Sequence, residues 1–211
     1  MKNKSPILIT GTFRSGTTLI SRILNNHPKI GVLYDSVNFM RFSYDKYNPI
    51  QDEKQYKLLI SEISQRIKKR WDLKLSEDNV LDDLREKNVT YGLVYNAIMT
   101  DLLVDCKQNE IWGAKTTLVW KQIPDFLKMF PNGRVILIIR DPRAVLASWK
   151  QMTNAPGNDY LDAVINCRSA IETASVFDLK YPKKRYLTLK YEDLVLKPEK
   201  TIRNLCKKLD I

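Results

Sequence analysis

The stretch TGTFRSGTT at residues 10–18 follows a short apolar run and precedes a helical pattern. Gly11, Gly16 and the threonines behind them nearly match the phosphate-binding pattern G-x-x-x-x-G-K-[ST]. The residue after the second glycine of that pattern is lysine, whereas this chain has Thr17, and the nearest cation is Arg14. The stretch is therefore compatible with an altered nucleotide loop, an ordinary glycine turn, or a phosphate loop for a different chemistry.

The side chains of this stretch suit an anion. A strand, a glycine turn and a helix that begins near Thr17 would surround one anion with backbone N–H groups and a helix N-terminus. Ser15, Thr17 and Thr18 add hydroxyl donors, and Arg14 carries a planar guanidinium that suits phosphate oxygens. The candidate phosphate-binding residues are Arg14, Ser15, Gly16, Thr17 and Thr18, and the alternative is a turn in which the glycines serve only geometry.

Short apolar runs rich in β-formers alternate with helical patterns along the chain. The apolar runs lie at 7–10, 30–34, 111–114, 134–139 and 185–189. The helical patterns lie at 19–26, 55–71, 90–103, 119–130, 142–152, 160–177 and 198–209. This alternation predicts an α/β fold of P-loop type, with three layers and a central parallel sheet flanked by helices, in a single domain spanning 1–211.

The more polar part of the chain after residue 40 predicts a helical insertion at about 41–105. We expect it over the carboxyl ends of the strands, where open α/β sheets bind their ligands. A solvated helical cover without a role in recognition is an equally good alternative.

The amino-acid composition limits the kinds of partner and of catalytic or metal site that the protein can have. The net charge of +11 favours polyanionic partners, although it is equally compatible with a role in solubility. The cysteines, Cys106, Cys167 and Cys206, lack metal-ligand spacing and predict free thiols in a reducing compartment, and hence a cytoplasmic protein. A lone histidine, His27, argues against a histidine triad or a multi-histidine metal site. No stretch approaches the roughly 18 apolar residues of a membrane span.

A second candidate anion site lies in VILIIRDPRAVLASW at 135–149. A buried strand ends on Arg140, Asp141 can cap the following helix, and Pro142 suits its first position. Arg140 is then expected at the carboxyl edge of the sheet, with Ser148 about two turns into the helix. The two can converge on one anion near the first loop, and the alternative is a surface Arg–Asp pair beside a helical serine.

FRSGTTLI and IIRDPRAVLASW together resemble the sulfotransferase family that uses 3′-phosphoadenosine 5′-phosphosulfate (PAPS). The resemblance implies that Arg14 to Thr18 hold the 5′-phosphosulfate, and that Arg140 and Ser148 hold the 3′-phosphate. YEDLVLKP at 191–198 resembles the family stretch whose tyrosine lies beside the adenine, which implies Tyr191. The product would be adenosine 3′,5′-bisphosphate, and no metal is implied.

Within that family, RSGTTLISRILNNHP is most similar to the tyrosylprotein sulfotransferases and their bacterial relatives. Those proteins carry an acidic pair after the His-Pro, and its second acid is the proposed catalytic base. Counted from Arg14, that position is Asp35, an aspartate in place of the usual glutamate, with Tyr34 in place of the first acid. GAKTT at 113–117 resembles the segment that contains a lysine near the transferring group. The resemblance thus implies Asp35, Lys115 and Arg14 as catalytic residues, and a surface lysine is the alternative for Lys115.

The resemblance implies a sulfotransferase that moves a sulfuryl group from PAPS to a hydroxyl of a protein tyrosine, a glycan or a small alcohol, with no nucleic acid partner. One alternative is a P-loop nucleotide kinase-like protein, which would need ATP and Mg²⁺. Another is a non-catalytic nucleotide-binding homologue, since Asp35 replaces the usual glutamate. Family members usually continue beyond a point equivalent to CKKLDI, so we expect either a short member or a chain truncated at its C-terminus.

Overall fold

Five parallel strands form the centre of the protein. The computed structural model describes residues 5–47, 49–104, 110–150 and 159–211, and Cys106 and the predicted helical residues 151–152 lie outside these ranges. The strands are β1 (Ile7–Gly11), β2 (Ile30–Tyr34), β3 (Ile111–Lys115), β4 (Arg134–Ile139) and β5 (Tyr186–Lys190). Their order across the sheet is β2-β3-β1-β4-β5. Each agrees with a predicted strand to within one residue.

Helices fill the connections between the strands. They are α1 (Thr17–Asn25), α2 (Phe39–Phe42), α3 (Glu53–Trp71), α4 (Glu77–Leu84), α5 (Tyr91–Leu102), α6 (Ile123–Met129), α7 (Pro142–Lys150), α8 (Asp159–Lys180), α9 (Tyr191–Leu196) and α10 (Pro198–Leu209). The short helices α2, α4 and α9 were not among the predicted helical patterns. None of the helices within the described ranges is long and apolar enough to cross a membrane.

The sheet is buried on both faces, which confirms the predicted three layers. On one face Ile7 and Ile9 of β1 pack in a cluster with residues of α1, α9 and α10. On the other face Leu8 joins a larger cluster with residues of α3, α4, α5, α6 and α8. The neighbouring side chains of β1 point to opposite faces because a strand alternates with a period of two.

The predicted insertion between β2 and β3 contains α2 to α5, and it belongs to the core. Ile60, Ile63 and Ile67 of α3 are fully buried in the same cluster as Trp112 of β3. One face of α3 therefore belongs to the core, while Glu62, Gln65 and Lys68 are exposed to solvent. Helix α3 also reaches the loop after β2, where Arg66 donates a hydrogen bond to the carbonyl of Val37 over 2.6 Å.

Candidate active site at the carboxyl edge of the sheet

The glycine loop connects the end of β1 to α1 in a tight turn. Both the backbone N–H and the hydroxyl of Ser15 donate to the carbonyl of Thr12, over 3.3 and 2.7 Å. Gly16 has φ of 95°, a left-handed conformation that side chains disfavour. A Cβ at Gly16 would lie 2.3 Å from Cδ2 of Tyr191. Only glycine therefore lets the loop pack against the Tyr191 ring in this way.

The N-terminus of α1 has donors to offer an anion. The backbone N–H groups of Thr17, Thr18 and Leu19 bond to no residue in the described ranges, as expected for a first helical turn. Gly16 provides no side-chain cap, and the first turn contains no acidic residue. These donors and the positive end of the helix dipole fit the 5′-phosphosulfate group that the sequence resemblance implies.

Arg14 links the glycine loop to α7. Its Nε donates to Oγ of Ser148 over 2.9 Å, and its carbonyl accepts from Nη1 of Arg140 over 2.9 Å. The Arg140 guanidinium also lies 4.2 Å from the centroid of the Tyr191 ring. The structure thus brings four of the sequence-predicted residues into one cluster. The Nε atom of Arg140 is buried and has no hydrogen-bond partner among the described residues, so it remains a donor for an anion.

The turn from β4 into α7 holds Arg140 in place. Asp141 accepts from the backbone N–H of Arg143 over 2.8 Å at the start of the helix, as the sequence predicted for a cap. Side-chain hydrogen bonds from Arg143 are the main cause that lowers the pKa of Asp141 to about 2. Asp141 pairs with Arg143 and not with Arg140, so the surface Arg–Asp pair of the alternative exists, but it leaves the Arg140 guanidinium in the cluster with Arg14 and Tyr191. Glu192 accepts from the backbone N–H of Asp141 over 2.9 Å and ties α9 to this turn.

Asp35 and Lys115 form an ion pair at the ends of β2 and β3. The Lys115 ammonium donates to Oδ2 of Asp35, and the backbone N–H of Asp35 donates to the Lys115 carbonyl over 3.0 Å. The Lys115 side chain is 5% exposed and that of Asp35 is 35% exposed. The alternative of a surface lysine is therefore wrong. Oδ1 of Asp35 has no hydrogen-bond partner in the described part of the chain, so it can accept a proton.

The segment after β3 places this ion pair beside the glycine loop. The backbone N–H of Thr116 donates to the Ile9 carbonyl over 3.0 Å, and that of Leu118 donates to the Gly11 carbonyl over 3.1 Å. This segment therefore runs alongside the end of β1 and passes next to the glycine loop. The Thr116 hydroxyl is buried and has no partner within the described ranges, so it is a further unsatisfied donor at this edge.

A cavity of about 230 Å³ opens next to the loop, and no pattern in the sequence predicted it. Its lining includes Phe13, Leu118, Val145 and Trp149 on its apolar side and the polar side chains of Asp162 and Asn166. The rings of Phe13 and Trp149 are tilted against each other with centroids 5.5 Å apart. Phe13 lies in the stretch 10–18 and Trp149 in the stretch 135–149, but the contact between their rings depends on the packing of α7 against the glycine loop.

The strand, glycine loop and helix at the centre of a parallel sheet define an α/β protein of P-loop type. The model of the sulfotransferase family matches residues 6–211. The chain belongs to that family. Its membership confirms the predicted family and favours it over the kinase-like alternative.

The curated relatives include tyrosine sulfotransferases. Protein-tyrosine sulfotransferase 1 of Danio rerio is 29% identical over 214 residues, covering 100% of this chain and 54% of that protein. Protein-tyrosine sulfotransferase 2 of Gallus gallus is 27% identical over 214 residues, covering 97% of this chain and 51% of that protein. The chain spans about half the length of these relatives.

Solved structures share the fold at lower identity. The sulfotransferase domain from the curacin biosynthetic pathway has a TM-score of 0.60 and 19% identity, covering 99% of this chain and 74% of that chain. The sulfotransferase domain from the Synechococcus PCC 7002 olefin synthase has a TM-score of 0.57 and 21% identity, covering 100% of this chain and 75% of that chain. These structures support the architecture of the sheet and its helices.

Proposed function

We propose that the chain transfers a sulfuryl group from PAPS to the hydroxyl of an acceptor. The observation that carries the proposal is the cluster of Arg14, Arg140, Ser148 and Tyr191 beside the free N-terminus of α1. PAPS has two anionic groups and an adenine ring, and these side chains together with the helix end can bind all three. Family membership supports the same donor.

The donor-binding roles follow the position of each group. Residues Arg14, Ser15, Gly16, Thr17 and Thr18 hold the 5′-phosphosulfate through the loop, its hydroxyls and the helix N-terminus. Arg140 and Ser148 hold the 3′-phosphate, and Tyr191 lies against the adenine. PAPS supplies a sulfuryl group that is already activated by its bond to the 5′-phosphate.

The transfer breaks the bond between sulfur and the 5′-phosphate oxygen and forms a bond between sulfur and the acceptor oxygen. Negative charge grows on the departing phosphate, where Arg14, Lys115 and the α1 N-terminus stabilise it. Asp35 accepts the acceptor proton at Oδ1 while Lys115 orients the carboxylate through Oδ2. A base in this role contributes about 10²–10⁴-fold to the rate.

The cavity beside Phe13 and Trp149 is the proposed place for the acceptor. Its aromatic wall suits an apolar ring, and Asp162 and Asn166 offer hydrogen bonds to polar groups around that ring. A tyrosine side chain fits this description, and relatives named protein-tyrosine sulfotransferases support it. A glycan or a small alcohol with a hydroxyl remains a second class of acceptor to test. Independence from metals and a cytoplasmic location stay predictions.

Thermal unfolding with added nucleotides tests the proposal. Adenosine 3′,5′-bisphosphate at about 100 times its dissociation constant should stabilise the protein by roughly 2.7 kcal/mol, and ATP with Mg²⁺ should not. Stabilisation by ATP with Mg²⁺ alone would contradict the proposal and favour a kinase-like protein. Selective stabilisation by the bisphosphate, followed by no sulfate transfer to tyrosine peptides, glycans or alcohols, would indicate the non-catalytic homologue.

A further inference from the structure

Strand β5 forms one edge of the sheet and pairs only with β4 among the strands of the described ranges. The backbone N–H of Val135 donates to the Arg185 carbonyl over 2.8 Å. Successive residues of a strand direct their backbone groups to opposite sides, so those of Leu187 and Leu189 also face β4. Those of Thr188, which stands opposite Leu137 in the register, face away from the sheet. Such an edge is a template for a further strand.

A basic groove runs along this edge. It has a volume of about 350 Å³ and lies between α8 and α10. Four exposed lysines contribute to its lining, and none of them pairs with a carboxylate of the described residues: Lys190, Lys197, Lys200 and Lys208. The lining has two carboxylates, Asp178 and Asp193, and Asp178 already accepts from Lys183 over 2.5 Å. The groove therefore keeps an excess of positive charge.

We propose that an acidic, extended segment of a partner protein adds to β5 as an additional strand. Its backbone would bond to the outward groups of Thr188 and of Lys190, the next residue that faces outward, and its carboxylates would pair with the four lysines. A glycan or a nucleic acid could use the lysines but would leave the strand edge unpaired. A second copy of this chain would bring lysines against lysines, because each copy carries a net charge of +11.

Lysines on an edge strand can also serve only to prevent unwanted pairing. That protective role needs charge at the edge but no recess beside it. The groove adds such a recess, and Thr188, which contributes to its lining, is only half-buried. An acidic strand is the one class of strand that these lysines attract and do not repel. The two roles differ in whether an acidic strand binds.

Fluorescence anisotropy with the labelled peptide EVEVEVE tests whether the lysine charges contribute to binding. The double variant Lys197→Glu/Lys200→Glu should weaken its binding by at least about tenfold at low salt. The matched control Lys68→Glu/Lys69→Glu, at exposed positions near the end of α3, makes the same change in net charge and should leave binding unchanged.

A second pair of variants tests whether the outward backbone N–H of Thr188 contributes to binding. Thr188→Pro removes the outward N–H but no bond to β4, so it should weaken peptide binding by about tenfold while Thr188→Val does not. The same peptide methylated at every second backbone nitrogen should also lose binding. Cooperative thermal unfolding shows whether each variant is folded. If Thr188→Pro is not folded, the lysine variants still test the proposal.

Three outcomes would overturn the proposal. Absence of EVEVEVE binding up to about 1 mM would mean that the lysines only protect the edge. Undiminished binding of the methylated peptide, together with displacement by a heparin oligosaccharide, would mean a general polyanion site. Self-association in sedimentation experiments that Lys197→Glu/Lys200→Glu abolishes would mean an interface between copies of this chain.

Discussion

Arg14 donates to Ser148 over 2.9 Å although 134 positions separate them in the chain. This bond joins the two stretches that the sequence marked as separate anion sites, because Arg14 belongs to the glycine loop and Ser148 to α7. Arg140 adds a second link to the carbonyl of Arg14. The guanidinium of Arg14 therefore stands between the proposed 5′- and 3′-phosphate positions.

Replacing Arg14 with alanine should weaken both donor binding and turnover. The variant loses charge-assisted hydrogen bonds that contribute about 1.5–3 kcal/mol, so affinity for adenosine 3′,5′-bisphosphate should fall roughly 10- to 100-fold. Titration calorimetry measures the affinity, and sulfate transfer from PAPS measures the turnover. Arg22→Ala on the exposed side of α1 is the matched control. Near-normal affinity and rate in Arg14→Ala would remove the loop from the donor site.

Replacing Ser148 with alanine should affect the 3′-phosphate selectively. The variant loses a hydroxyl that reaches Arg14, which should weaken binding of adenosine 3′,5′-bisphosphate by about 5- to 10-fold. Adenosine 5′-monophosphate lacks the 3′-phosphate and should bind equally well to the variant and the parent. Calorimetry with both nucleotides makes the comparison. An equal loss for both would show that Ser148 acts only by positioning Arg14.

Replacing Asp35 with asparagine should slow turnover and spare donor binding. Asparagine tolerates the positive φ of 52° at this position, so the backbone should not change. Loss of the base should reduce sulfate transfer by about 10²–10⁴-fold while affinity for adenosine 3′,5′-bisphosphate is retained.

Asp45→Asn is the matched control for this substitution. Asp45 is exposed and also has a positive φ, 63°, and its replacement should leave the rate unchanged. Unimpaired transfer by Asp35→Asn would place the base elsewhere.

Replacing Gly16 with alanine should destabilise the protein. The new Cβ would overlap the ring of Tyr191, and the φ of 95° would strain the backbone, at a cost of about 1–3 kcal/mol. Adding Tyr191→Ala should recover the part that comes from the overlap but not the part that comes from φ. Denaturant unfolding of the four proteins in this cycle gives the coupling energy. Additive effects would show that the ring moves aside freely.

The sheet and the glycine loop were predictable because their signals are local. Each strand lies on a short run that is mostly apolar, and the loop has its glycines at fixed spacing. Helix α2, with four residues, is too short to show a helical period, and α9 lies in a stretch whose pattern gave no separate helix. Amphipathic spacing needs several turns to be visible.

The contacts inside the candidate site could not be predicted in the same way. The sequence suggested Asp35 and Lys115 separately, but their pairing depends on β2 and β3 being neighbours. The stacking of Tyr191 on Gly16 and the cavity beside Phe13 depend on how distant helices pack at the sheet edge. These features follow from strand order and helix placement, which no single stretch of sequence contains.

The Tyr191 ring occupies the space that a side chain at position 16 would need. Under the proposed assignment the surface that binds the base and the loop that binds the phosphosulfate touch directly. This contact therefore fixes the distance between the two binding surfaces. A nucleotide must then match one fixed separation between its base and its 5′-terminal group. A ligand with a longer phosphate chain would seat its base or its terminal phosphate, but not both.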